Sequence, residues 1–152
     1  KEVKMDAALL AAAVDRYIAA HNTGALATAR EGLVRCTPIE YTYHDGAFWL
    51  FTEGGLKFDA LEQNKQVCLA IFDPFEGFDR LGGMQVTGRA EILEPGCEEY
   101  DGAARFKHLQ PDALKKLPFV MYLLKIVPTH IDFLSSKFKK QGFGTRQSLE
   151  FL

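Results

Sequence analysis

The chain has 152 residues, 47% hydrophobic and 25% charged, which fits one globular domain and excludes a disordered or fibrous chain. Its formal net charge of -2 argues against nucleic-acid binding through bulk positive charge. The three cysteines, Cys36, Cys68 and Cys97, form no CxxC pair, which leaves out a zinc ribbon or a thioredoxin-like motif and points to a reducing compartment. No apolar run reaches the roughly 20 residues of a membrane helix. No signal peptide is visible in the chain as given, and a cytoplasmic protein with no membrane partner is expected; the start at Lys1 suggests a trimmed or processed terminus, which leaves a lost leader open. The 12 Phe exceed what a small core needs and suit a subunit interface or a planar ligand.

Met5 to His21 is predicted to be a helix: Asp6 is placed to cap it, and Leu10, Val14, Tyr17 and Ile18 recur at helical spacing. Asn22-Thr23-Gly24 ends it, with Gly24 able to turn left-handed. Ala25 to Ala29 is a short strand closed by the turn Arg30-Glu31-Gly32. Leu33 to Tyr43 continues in β-formers. Pro38 inside that run requires an edge strand or a bulge, because it offers no N–H to a ladder. His44-Asp45-Gly46 makes a hairpin turn into Ala47 to Thr52, which is apolar on both faces like a strand covered on both sides.

After Glu53-Gly54-Gly55 a short helix runs over Leu56 to Asn64, then a strand over Gln66 to Phe72. A loop from Phe75 to Gly83 leads to a cleanly alternating strand, Met84 to Leu93. Helices follow at Cys97 to Leu109 and Pro111 to Lys116. Phe119 to Ile126 is a final strand, extended by Thr129 to Leu134 beyond Pro128. Hairpins dominate, so the expected fold is mainly β: a small closed or nearly closed barrel with peripheral helices. It forms one domain over residues 1–152, with an N-terminal helix at 5–21, the barrel at 24–134 and a basic, aromatic arm at 135–152.

The most informative stretch for chemistry is Thr52-Glu53-Gly54-Gly55-Leu56-Lys57. The glycines let backbone N–H groups approach an anion, the helix start adds free donors, and Lys57 adds a full charge. The spacing is not that of a P-loop. Arg35 and Thr37 share one face of the preceding strand, whose hairpin brings it beside Ala47 to Thr52. An arginine fork suits phosphate or ring-edge oxygens. Cys36 points to the other face and reads as buried packing rather than a nucleophile. The four histidines lack metal-ligand spacing, and no GxSxG elbow exists, so no metal site and no catalytic side-chain constellation is expected.

The order of Ala25-Leu26-Ala27-Thr28, Arg35-Cys36-Thr37-Pro38, Phe51-Thr52-Glu53-Gly54-Gly55-Leu56-Lys57, Asn64-Lys65-Gln66-Val67 and Gln85-Val86-Thr87-Gly88-Arg89-Ala90 resembles the pyridoxamine 5'-phosphate oxidase-like, FMN-binding split-barrel family. The resemblance runs over about Met5 to Ile131. It implies a split β-barrel homodimer with FMN at the subunit interface. Arg35, Cys36, Thr37 and Pro38 would line the flavin ring edge. Phe51 and Thr52 would flank the ring and ribityl chain. Leu56 and Lys57 would form the phosphate turn, with Lys57 on the phosphate, and Gln85 would reach the flavin from the partner subunit. The family's phosphate turn commonly reads Ser-Arg-Lys, and here Gly55-Leu56-Lys57 carries one positive charge fewer. The C-terminal Arg/His and Trp segment that grips pyridoxamine phosphate has no counterpart, Trp49 being the only Trp.

The resemblance therefore implies an FMN-dependent oxidoreductase of flavin-reductase type, acting on a small molecule with an electron donor such as NAD(P)H. The alternatives are an FMN-binding electron-transfer protein that is not an enzyme, or a split barrel for haem, pyridoxal phosphate or a deazaflavin.

Overall fold

A computed structural model describes residues 2–151. Its backbone is organised by one antiparallel sheet, and each turn of the sequence decides which strand pairs with which. Helix α1 (Ala7–Ala19) precedes β1 (Thr23–Arg30), β2 (Leu33–Glu40), β3 (Thr42–His44) and β4 (Ala47–Thr52). Helix α2 (Leu56–Gln63) leads to β5 (Gln66–Phe72) and β6 (Gly82–Leu93). Then come α3 (Glu98–Phe106), α4 (Pro111–Lys115), β7 (Tyr122–Ser135), α5 (Ser136–Lys140) and β8 (Arg146–Glu150).

The sheet has the order β2-β1-β5-β6-β7-β4-β3, with β8 also paired to β7. The first part of β7 pairs with β4, the second part with β8, and its other edge pairs with β6 throughout. The sheet curls into a half-barrel, a mainly β architecture. Its concave side holds the core: Leu26, Phe48, Leu50, Leu69, Ile71, Val86 and Ile126 meet Leu10, Val14 and Ile18 of α1 and Leu61 of α2. Each such side chain contributes about 1.5–3 kcal/mol on burial. A second cluster packs Ala47, Trp49 and Leu123 against Tyr100 and Ala103 of α3. That is why β4 is apolar on both faces. Among the described residues no helix is long and apolar enough to cross a membrane.

Pro38 lies on β2, an edge strand, as its missing N–H requires. Asp45 and Gly46 both take positive φ, 54° and 70°, as a two-residue hairpin of the Asp-Gly kind demands.

Other expectations need correction. Leu33 to Tyr43 is not one strand: Tyr41 breaks it, its N–H donating to Asn22 O and its hydroxyl to Ile18 O, so the chain leaves β1 and turns to pair with β4. Gly24 is not a left-handed cap but part of β1, where a Cβ would come within 2.5 Å of the Ala70 carbonyl oxygen. Asp6 stands at the N-cap of α1, yet its side chain makes no cap bond. Phe119 lies outside β7, which begins at Tyr122 and continues through Pro128 to Ser135, and β7 is not the last strand, since β8 follows it. The arm is not a loose appendage: it forms α5 and β8, and Phe138 is buried in the core. Cys36 is exposed rather than packed, because its strand is the sheet edge and its face is the open one.

Candidate functional site

The two ends of the curled sheet approach each other where β2 nears β4, and α2 packs against β1 and β2 beside that slit. The turn into α2 is built by Gly54 and Gly55, with φ of 117° and 102° that side-chain-bearing residues rarely adopt. The Gly54 N–H donates to Thr52 Oγ1 at 3.4 Å, so the end of β4 holds the turn. One helical turn on, Lys57 is only 8% exposed and its ammonium donates to the Gly54 carbonyl. Burial lowers its pKa. Among the described residues, the lysines that pair with carboxylates are Lys107 and Lys125, not Lys57. A buried ammonium with a neutral carbonyl and, 5.8 Å away, the Phe58 ring for company suits an anionic ligand, which would replace the lost hydration.

Strand register sorts the remaining candidates. Arg35 stands opposite Thr28, and Thr37 opposite Leu26, so both belong to the side of β2 that turns toward the barrel interior. Thr28 is 2% exposed and its hydroxyl has no partner. Arg30 Nε, two residues along the same face, is also buried without a partner. Sequence reasoning passed over Thr28 and Arg30. Only the β1–β2 register, closed by the turn Arg30-Glu31-Gly32, brings Thr28 opposite Arg35.

Cys36 and Pro38 face outward. A register row runs Pro38, Ala25, Ala70, Gln85, Asp132, Ser148 across the outer side of the sheet. Pro38 and Gln85 thus share a face but stand three strands apart, about 14 Å at normal strand spacing. Gln85 lines an open groove of about 540 Å³ with Phe72, Asp132 and Arg146. Phe51 and Thr52 do not act side by side. Phe51 belongs to the α3 side of β4, edge-on to Tyr100 with centroids 5.4 Å apart, whereas Thr52 holds the turn. Leu56 opens α2 and is exposed at the slit. The structure therefore gathers Thr52, Leu56 and Lys57 in one turn, sets Arg35 and Thr37 on the strand beside α2, and keeps Gln85 apart.

The architecture is that of a split half-barrel with a glycine–lysine turn at its slit. The family model described as pyridoxamine 5'-phosphate oxidase matches residues 10–131, most of the chain, and the chain belongs to that family. Solved structures agree on the fold. An FAD-binding protein from Mesorhizobium loti is 24% identical with a TM-score of 0.60, covering 80% of this chain and 91% of its own. HutZ, the heme storage protein from Vibrio cholerae, is 15% identical with a TM-score of 0.63, covering 77% and 88%. A heme binding protein from Mycobacterium smegmatis is 21% identical with a TM-score of 0.64, covering 97% of this chain and 59% of its own. No curated protein matches the sequence.

Proposed function

We propose that the chain is an FMN-dependent oxidoreductase working as a cytoplasmic homodimer, with FMN at the subunit interface. The observation that carries this reading is Lys57, a buried ammonium without a carboxylate partner at a two-glycine turn. In this reading Lys57 and the Gly54–Gly55 backbone hold the phosphate, with Leu56 shielding the turn. Thr52 orients the ribityl chain, and Phe51 backs that strand. Arg35, Cys36, Thr37 and Pro38 border the ring. Thr28 and Arg30 supply the unpartnered polar atoms nearest to Arg35 along the strand pair. The separation of Gln85 from the turn fits a role for Gln85 of the partner subunit.

The outer sheet face supports the dimer. Its small residues Ala25, Ala27 and Ala70 leave a shallow surface bordered by Val34, which is 75% exposed, and Phe72. Three free cysteines suit a reducing compartment. Bound FMN would supply hydride and electron acceptance, with NAD(P)H as donor and a small molecule as acceptor. The chain's own side chains position the group and limit solvent access. Purified protein with flavin absorbance that NAD(P)H bleaches supports this reading.

A second reading, haem binding, is favoured by the two heme proteins among the structural neighbours. A Soret band on native protein, in place of the flavin bands, would select it.

A further inference from the structure

We infer that the cavity between α1, the β5–β6 loop and α5 is a second binding site, for a small aromatic molecule bearing a carboxylate or phosphate group. The cavity has a volume of about 710 Å³, within the range of small-molecule sites. Its lining contains none of the residues assigned to the slit and shares only Phe133 with the Gln85 groove.

The walls are tied together by specific bonds. His21 Nδ1 lies 2.7 Å from the Tyr17 carbonyl oxygen, which only accepts, so that nitrogen carries a proton. His21 Nε2 lies 2.7 Å from Asp73 Oδ1, and the Tyr17 hydroxyl donates to Asp73 Oδ2 at 3.1 Å. Both oxygens of Asp73 are therefore engaged, by Tyr17 of α1 and by His21 just past its end. Gly82 makes room for this carboxylate: a Cβ there would come within 2.3 Å of Asp73 Oδ2. The loop's other end is pinned by buried Ser136, whose hydroxyl accepts from the Leu81 N–H at 2.8 Å and donates to the Phe78 carbonyl at 3.0 Å.

The interior is aromatic. The Tyr17 and Phe133 rings lie 4.8 Å apart, and Phe133 meets Phe138 edge-on at 5.1 Å. The rim is cationic: Arg16 from α1, Arg80 from the loop, and Lys137 and Lys140 from α5. Among the described residues Arg16, Lys137 and Lys140 pair with no carboxylate, and Arg80 reaches exposed Glu76 only at 3.8 Å. The carboxylates of the lining are Asp73, already engaged, and Asp79. Positive charge that converges on a concave apolar wall concentrates anions there. The aromatic floor then selects those with a ring.

The test is calorimetric titration of the chain as purified with benzoate, phenyl phosphate and uncharged benzyl alcohol. One of the two anions is expected to bind at one site per chain, at least about fivefold more tightly than the alcohol. The Arg16→Gln/Lys140→Gln double variant changes two exposed residues and should keep its melting temperature. It should bind that anion about fivefold more weakly, as two exposed charge contacts of roughly 0.5 kcal/mol each imply. Lys57→Ala should leave the binding unchanged, which separates this site from the slit whether or not the slit holds FMN. The benzoate and phenyl phosphate arms decide between a carboxylate and a phosphate ligand. Absence of saturable binding, equal binding of all three probes, or loss of binding only in Lys57→Ala would overturn the inference.

Discussion

Lys57 is the residue on which the proposed chemistry turns. Its neighbours explain why it was legible before the fold was known: two glycines and a helix start leave a lysine one place to stand, at the turn. Replacing it with Ala should weaken FMN binding by about 1.5–3 kcal/mol, the range for a charged hydrogen bond, or roughly tenfold to a hundredfold in Kd. A flavin fluorescence titration reads this directly, and an unchanged Kd would place the phosphate elsewhere. Thr28 was not legible, because a threonine between alanines carries no signal until the β1–β2 register sets it opposite Arg35. His130 offers a second test. Its ring bonds to Asp132 at 2.9 Å and also to Glu150, and these bonds raise its pKa above the usual 6.5. Bonds from Ser148 and His130 lower that of Asp132. A raised histidine contributes stability that is fully present below about pH 6.5 and lost as pH climbs through its folded value. A lowered aspartate contributes above its ordinary value of 3.8 and loses this in acid. His130→Gln should therefore lower the melting temperature at pH 6 more than at pH 9. Equal losses at both would show that the ring acts by packing alone.

At the scale of elements, the strands that could be read were those with a turn signal or an alternating apolar face. Asp45-Gly46 and the Met84 to Leu93 alternation are examples. Strand β8 was hidden because the residue it buries is polar: Gln147 accepts from the Met5 N–H and donates to the Val3 and Gly144 carbonyls. No hydrophobic period marks such a strand. Pro128 suggested a break in β7. The ladder instead shifts register at Thr87/Gly88, where Gly88 faces Pro128, and the strand runs on. That crossing depends on Gly88, since a Cβ there would lie 2.7 Å from the Val127 carbonyl oxygen and 2.8 Å from an Ile126 methyl. Gly88→Ala should cost about 1–3 kcal/mol, as overpacking does, measured by urea denaturation; a neutral effect would mean β6 and β7 can separate freely. Tyr100 joins α3 to the sheet, with its hydroxyl donating to the Met121 carbonyl at 2.6 Å. Tyr100→Phe should cost about 1 kcal/mol, the worth of one hydrogen bond, with the second cluster otherwise intact.

At the scale of the whole molecule, the excess of phenylalanine divides in two. Phe48, Phe133 and Phe138 fill the chain's own core, including the arm that the sequence left outside it. Phe72, Phe75 and Phe78 stay exposed, Phe78 at 82%. The open face of the sheet was legible only as a surplus of phenylalanine, since no local pattern says which strand edge will be left free. Size-exclusion chromatography with light scattering should give twice the mass of one chain, and a monomer at micromolar concentration would remove the shared site. The central claim, that the slit holds FMN, is tested most directly by releasing and identifying the cofactor of native protein by mass and absorbance. About one FMN per chain, bleached by NAD(P)H before release, is expected. Haem in its place, or colourless protein that takes up no added FMN, would contradict the claim.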